Sequence, residues 1–309
     1  MKNAAAWAYS SSANLGPGFD TLGLAHDAGR NKVSVEFLGP SEKPELRLVC
    51  DGLPTDPGEN TASLAIESIM ESKGIAGNLR ITVTNEIPMG LGLGCSGASA
   101  AAAVVAMDAL LDLNLTMDEK VYFAMLGETA SSGTPHADNV AASIYGGLVS
   151  IQSLKPMKVK PVNVSDNFTY MTVVPKVRIE SKTKMSRSLV PKSISMSEHI
   201  EQIRYTSLLL HGFMSGDSDS LRYGMNDDVV EKARLEIFPF YPEVKEMALA
   251  HGAAGVCISG AGPSVLMALD NNTDAESILN GVQKLMDKSG LKYSIFRSKA
   301  ARGAYVEKD

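Results

Sequence analysis

The stretch from Pro88 to Ala98, PMGLGLGCSGA, holds four glycines and runs directly into SAAAAVVAMDALL. The alanine-rich part has strong helix propensity and predicts a helix lasting to about Asn114, with side chains small enough for other backbone to pack closely. A glycine loop that ends where a helix begins gathers unpaired backbone N–H groups at the positive end of the helix dipole. Such a place favours an anion, phosphate above all. The loop lacks the Gly-Lys-Ser/Thr ending of a Walker sequence and is not the GxGxxG of a plain βαβ unit. Taken alone, it is either a phosphate cradle or a flexible turn whose glycines serve tight packing.

The 309 residues are 44% hydrophobic and 21% charged, enough to bury a substantial core in one long domain or two modest ones. That content, with only three cysteines, excludes disorder, a collagen-like chain and a small disulfide scaffold. Lys and Arg number 29 against 35 Asp and Glu, a formal net charge of −6. Without a positive excess to release counterions, nucleic acid is not expected as a main partner. The N-terminal MKNAAAWAYSSSANLG has no apolar core before Ser10, Ser11 and Ser12, so export is not expected. The longest apolar run is broken by Asp108 and falls short of the roughly 20 residues that cross a bilayer. A soluble, cytoplasmic protein is expected. Cys50, Cys95 and Cys257 have no metal-ligand spacing and read as reduced thiols.

Along the chain, residues 30–50 predict two strands around a Gly-Pro turn, and residues 60–73 a helix stopped by Gly74. Alternation over 79–87 predicts a strand closed by Pro88. MDEKVYFAMLGETAS predicts a helix started by Thr116 or Asp118 that delivers Glu128 near its end. A loop over 131–139 and a strand GGLVSI complete the first half. The stretch LKPMKVKPVNVSDN, basic and then polar with two prolines, reads as a connection between lobes, which puts the boundary near 155–168 and divides the chain into 1–160 and 161–309. Beyond it, FTYMTVVP is a strand, EHIEQIRYTSLLLHGF and PEVKEMALAHG are helical, GVCISGAGPSVLMAL is strand, tight turn and strand, 275–288 is helical and 291–297 extended. The fold class is therefore α+β.

Two further glycine-rich elements stand out. In SSANLGPGFD, residues 11–20, Gly16, Pro17 and Gly18 shape a turn between Asn14 and Asp20; alone it is a surface turn. SGAGPS, Ser259 to Ser264, joins two apolar strands with little side-chain bulk, as a hairpin turn or as a place where a ligand or second backbone comes close. The three elements together, in this order and over essentially the whole chain, resemble the GHMP kinases. Within that superfamily SSANLGPGFDTLGLA, GETASSGTPHADNVAASIYGGLVSI and SGAGPSV are most similar to the homoserine kinases.

The resemblance implies a two-lobed GHMP kinase fold, with an N-terminal lobe like domain 2 of ribosomal protein S5, a C-terminal ferredoxin-like lobe, and ATP and substrate in the cleft between. It implies an ATP-dependent kinase that converts the hydroxyl of L-homoserine to O-phospho-L-homoserine on the route to threonine. The alternative is a sibling kinase acting on mevalonate, shikimate or another small hydroxy-acid. A homodimer is the family's frequent assembly. By analogy the ATP phosphates lie in the loop formed by Pro88, Met89, Gly90, Leu91, Gly92, Leu93, Gly94, Cys95, Ser96, Gly97 and Ala98. Ser96 and Glu128 hold Mg²⁺, which prefers oxygen ligands and keeps some waters. Gly260 and Gly262 support the site from the other lobe.

Homoserine is a small zwitterion, so its site needs an anion receiver for the carboxylate and acceptors for the ammonium; Arg is the natural receiver. Arg187 and Arg234 match the family's Arg residues placed four and five residues before a Pro, and each is otherwise a surface Arg. Asn14, Asp20 and His136 are the analogous polar contacts, with Asp20 facing the ammonium. Asp138 and Asn139 sit where related kinases carry an Asp-Asn pair. Asp138 is either a base or the cap of a helix beginning at Asn139, while Asn139 positions the hydroxyl. The family loop commonly reads GSGLGSSA, and here Leu91, Cys95 and Gly97 replace two Ser and an Ala. At a helix N-terminus Cys95 is expected, where solvent reaches it, to have a lowered pKa and some thiolate character, with rapid alkylation and protection by MgATP.

Overall fold

The computed structural model describes residues 2–50, 52–132, 136–177 and 182–308, without the side chains of 131, 132, 182 and 183. The N-terminal lobe is built on a long antiparallel pair, β1 (Asn3–Asn14) and β2 (Gly18–Gly39), joined by the Leu15–Pro17 turn. Then follow β3 (Pro44–Cys50), α1 (Thr61–Lys73), β4 (Gly77–Asn85), α2 (Cys95–Leu111), α3 (Met117–Gly127), α4 (Thr129–Ser132), α5 (Asp138–Tyr145), β5 (Leu148–Leu154) and β6 (Met157–Val162). Of the loop expected over 131–139, residues 133–135 lie outside the described residues.

Helix ends follow local chemistry. The Asn60 carboxamide oxygen accepts from the amides of Ala62 and Ser63, and Gly74 ends α1 in the left-handed conformation with φ 64°. Thr116 and Glu119 form a reciprocal capping box on α3. The central helix α2 is the alanine-rich one, with Ala98 and Ala100–Ala103 fully buried against the sheet. Alanine there allows close helix–sheet packing at little cost in side-chain entropy.

Strand pairing departs from the linear reading. The two strands expected over 30–50 form, but they do not pair with each other: β4 lies between them, antiparallel to β2 and parallel to β3, with Val35 opposite Ile81 and Ile81 opposite Leu48. Residues 157–162, expected as connector, are β6, paired with β5. Met157 and Val159 point inward between exposed Lys158 and Lys160, an alternation masked by the neighbouring prolines and charge.

The second lobe contains β7 (Thr169–Pro175), α6 (Lys182–Ser188), α7 (Met196–Ser215), α8 (Ser218–Gly224), α9 (Val230–Ala233), α10 (Tyr241–Ala250), β8 (Gly255–Ile258), β9 (Val265–Leu269), α11 (Ala275–Lys288) and β10 (Tyr293–Ser298). Its antiparallel sheet runs β10-β7-β9-β8. One core joins α10 and α11 to this sheet through Tyr241, Val244, Ile278, Val282 and Met286. Another contains Leu22, Leu24 and Leu148 of the first lobe with Phe213, Leu221 and Leu266 of the second. The chain then returns to the first sheet, where β11 (Tyr305–Val306) pairs with β1. Among the described residues no helix is long and apolar enough to cross a membrane.

Candidate active site

The glycine loop owes its shape to where its carbonyls go. Leu91 O accepts from the Ser264 amide at 3.2 Å and hydroxyl at 2.5 Å, Gly92 O from the Ser259 hydroxyl at 2.5 Å, and Leu93 O from the Ser11 amide at 3.1 Å. In a trans peptide the N–H points opposite to the C=O, so the amides of Gly92, Leu93 and Gly94 face away from these anchors. Among the described residues no carbonyl accepts from the amides of Gly92 through Gly97. The last three are the open donors of the first turn of α2, where Gly94 supplies no side-chain cap. Glycine is required by both space and backbone: φ is +89° at Gly92 and +65° at Gly94. A Cβ would stand 2.5 Å from Ser259 O at Gly92 and 2.2 Å from Ser11 Oγ at Gly94.

Asn31, fully buried on β2, clamps the two stems of the loop. Its Oδ1 accepts from the Glu86 and Ile87 amides, and its Nδ2 donates to Cys95 O and Ser99 Oγ. Burial beneath this clamp overturns the expectation for Cys95. Its thiol is buried, donates to Asn85 Oδ1 at 3.1 Å, and is pushed up to about 11 by burial. A protonated, enclosed thiol is a poor nucleophile, so rapid alkylation is not expected. Gly97 faces α5, where an added methyl would lie 3.1 Å from Asn139 Cβ; this accounts for the missing Ala.

A cavity of about 510 Å³ lies over the loop. Met89, Gly90, Gly92, Leu93, Gly94, Cys95 and Ser96 line it, whereas Pro88, Leu91, Gly97 and Ala98 support the loop from outside the lining. Ser96 Oγ donates to Glu128 Oε2 at 3.1 Å, at the junction of α2 and the end of α3. Leu53, Pro54, Glu59, Asn60 and Thr61 close one end of the cavity, and the Thr61 hydroxyl donates to Ser96 O.

The other end gathers Asn14, Asp20, His136, Asp138, Asn139, Arg187, Arg234 and Gly260. Asp20 is ion-paired with Arg187 through both carboxylate oxygens, the Nη1 contact being 3.3 Å, and His136 Nδ1 stands 3.8 Å from it. Arg234 is buried with Nε on Ser186 O and Nη1 on Gly260 O, and the Asn14 amide donates to the same Gly260 carbonyl. Both guanidinium groups lie over Phe19, 5.3 and 5.4 Å from its ring centre. Gly262 sits behind this turn, where a Cβ would be 2.5 Å from the Phe238 ring.

Asn139 Oδ1 accepts from Ser11 Oγ at 2.9 Å, which fixes its amide. Asp138 begins α5 with its Oδ1 on the Asn139 amide, and burial, reinforced by the negative charge of Asp20, pushes it up to about 6. His136 is lowered, by burial first and then by Arg187, so it is neutral at pH 7. Phe19, Ser259 and Ser264 lie in elements that stand out in the sequence but have no role assigned there, and Asn31, a polar residue inside an alternating strand, carries the one local signal among the other site residues.

The chain matches two family models, the GHMP kinases N terminal domain over residues 60–147 and the GHMP kinases C terminal over residues 209–288. It is 45% identical over 302 residues to a homoserine kinase of Saccharolobus islandicus, covering 97% of each chain. Among solved structures it is similar to the homoserine kinase of Cytophaga hutchinsonii, with a TM-score of 0.89, 32% identity and coverage of 99% of this chain and 98% of that one. The L. major mevalonate kinase in complex with R-mevalonate shares the fold, with a TM-score of 0.69 at 16% identity over 96% of this chain and 95% of that one.

Proposed function

The chain belongs to the GHMP kinase family and, within it, to the homoserine kinases, and from that premise we propose how its cleft phosphorylates the side-chain hydroxyl of L-homoserine with ATP. The observation that carries the reading is the anchored loop: outward carbonyls leave a row of amides and a helix N-terminus open to the cavity, beside Ser96 and Glu128 and opposite two guanidinium groups. The amides of Gly92 through Gly97 receive the phosphates, and the end lined by Leu53, Pro54 and Met89 receives the base.

The Ser96 hydroxyl and Glu128 carboxylate fit a hard divalent cation, because both are oxygen donors that already touch across the mouth of the loop. Among the described residues no three metal-ligating side chains converge; Mg²⁺ held by few side chains and by substrate phosphates does not need them. When bound, the ion neutralises charge developing on the phosphates. The protein's own groups do the rest. Arg187 and Arg234 take the substrate carboxylate, Asp20 and Asn14 the ammonium, and Asn139 orients the hydroxyl. Asp138, with a carboxyl near 6, is largely ionised at pH 7 and accepts the hydroxyl proton as the phosphoryl group transfers. We place the division between the lobes near 155–168.

The Asp20–Arg187 pair gives a reason for selecting an amino acid. A zwitterion inserted between them supplies a new partner to each, whereas a simple hydroxy-acid occupies the guanidinium and gives Asp20 no cation in place of Arg187. In a coupled ADP-release assay over a panel of alcohols, homoserine should therefore be turned over far better than mevalonate or shikimate. Mevalonate turnover without homoserine turnover would reverse the assignment.

A further inference from the structure

We propose that His26 is a positioning residue for the phosphate loop, fixing a one-way chain of hydrogen bonds through Ser12 and Ser259 that ends on the Gly92 carbonyl. The proposal rests on reading that loop as the phosphate site. His26, on β2, is fully buried between two serines of β1, with Nδ1 3.2 Å from Ser10 Oγ and Nε2 3.0 Å from Ser12 Oγ. Ser12 Oγ is 2.7 Å from Ser259 Oγ, and Ser259 Oγ is 2.5 Å from Gly92 O. Ser10 Oγ is also 2.7 Å from the carbonyl of His26 itself.

The protons of this cluster have one consistent arrangement. Gly92 O can only accept, so the single proton of Ser259 goes there. Ser12 must then supply the proton of the Ser12–Ser259 contact, and it in turn needs a donor. That donor is His26 Nε2–H. Burial holds the imidazole down at about 4, so it is neutral and carries one ring proton. Ser10 donates to the His26 carbonyl, which leaves the 3.2 Å contact to Nδ1, the longest of the set, as the one without a proton of its own. The other tautomer would set two acceptors face to face at 2.7 Å or 2.5 Å.

Gly92 is the loop carbonyl that depends on this chain. Leu91 O and Leu93 O are held by backbone amides, of Ser264 and Ser11, whereas Gly92 O is held by the Ser259 hydroxyl. The Gly92–Leu93 peptide is therefore oriented by side chains, and with it the Leu93 amide on the opposite edge of the same plane. The relay crosses from the first lobe to the turn after β8, so it also ties the loop to the second lobe.

The test is calorimetric titration of MgADP into folded variants, alongside the KM for homoserine. His26→Leu and Ser259→Ala should each weaken MgADP by about ten-fold, the scale of one lost buried hydrogen bond, while the homoserine KM stays within about two-fold. His26→Gln, whose amide can donate to Ser12, should restore most of the binding. The double variant should bind no more weakly than either single one, because both break one chain. Should His26→Leu not fold, Ser12→Ala takes its place in the same cycle with Ser259→Ala. Wild-type MgADP affinity in the single variants, or losses that multiply in the double, would overturn the relay. A wild-type protein that binds MgADP through the relay yet leaves homoserine untouched would overturn the proposed function and not the relay.

Discussion

Ser96 and Glu128 meet in a geometry that shape alone does not explain, because Glu128 is a nearly buried carboxylate held at the cavity wall. Glu128→Gln preserves the side chain's size and its acceptor for Ser96 but removes the charge, so kcat should fall about 10²–10³-fold with little change in Tm. An unchanged kcat would remove its role. Truncating Arg187 to Ala should chiefly raise the homoserine KM, since the contact exists before the transition state; an unaltered KM would misplace the carboxylate site. Asp138 predicts a pH signature: kcat/KM should climb through about pH 6 as the carboxyl ionises, and Asp138→Asn should lose that limb. The residues that carry the family's motifs could be read from the sequence. The state of Cys95 could not, because it is decided by burial, which outweighs the opposing hydrogen bond from Asn31, a residue distant in sequence that gives no sign of its partner.

Elements whose ends are set by neighbouring residues were legible: Thr116 before α3 and Gly74 after α1. Elements defined by distant partners were not. The parallel pairing of β3 with β4 depends on α1 crossing between them, and β6 is recognisable only beside β5. Asn31 is the element-scale counterpart, since a single side chain joins the end of β4 to the start of α2. Asn31→Ala strands the Glu86 and Ile87 amides, and should cost about 2–3 kcal/mol in urea unfolding while weakening nucleotide binding. Unfolding at the wild-type midpoint would show the stems to be held by other contacts.

Across the whole molecule, stability couples to pH through buried groups of opposite sign: His26 is lowered by burial, while Asp138, Glu231 and Asp227 are raised by it. The folded His26 refuses a proton that the unfolded chain takes up between about pH 6.5 and 4, so its part of the stability is present above 6.5 and lost on acidification, by about 3 kcal/mol. Asp138 does the reverse: its folded carboxyl keeps a proton up to about pH 6, so its contribution is present at low pH and lost as pH rises. The two largely offset each other over pH 4–6. Asp138→Asn should expose the His26 dependence, giving a protein more stable at pH 7 that loses stability more steeply on acidification; parallel urea-unfolding profiles for the two proteins would contradict this. The central claim, that loop amides grip the nucleotide while the Arg pair holds a small amino acid beside it, is tested most directly by a crystal structure with an ATP analogue, Mg²⁺ and homoserine. Phosphate oxygens should lie within hydrogen-bond distance of amides between Gly92 and Gly97, with the homoserine carboxylate on Arg187 and Arg234. A nucleotide bound elsewhere, with that loop unchanged and empty, would contradict it.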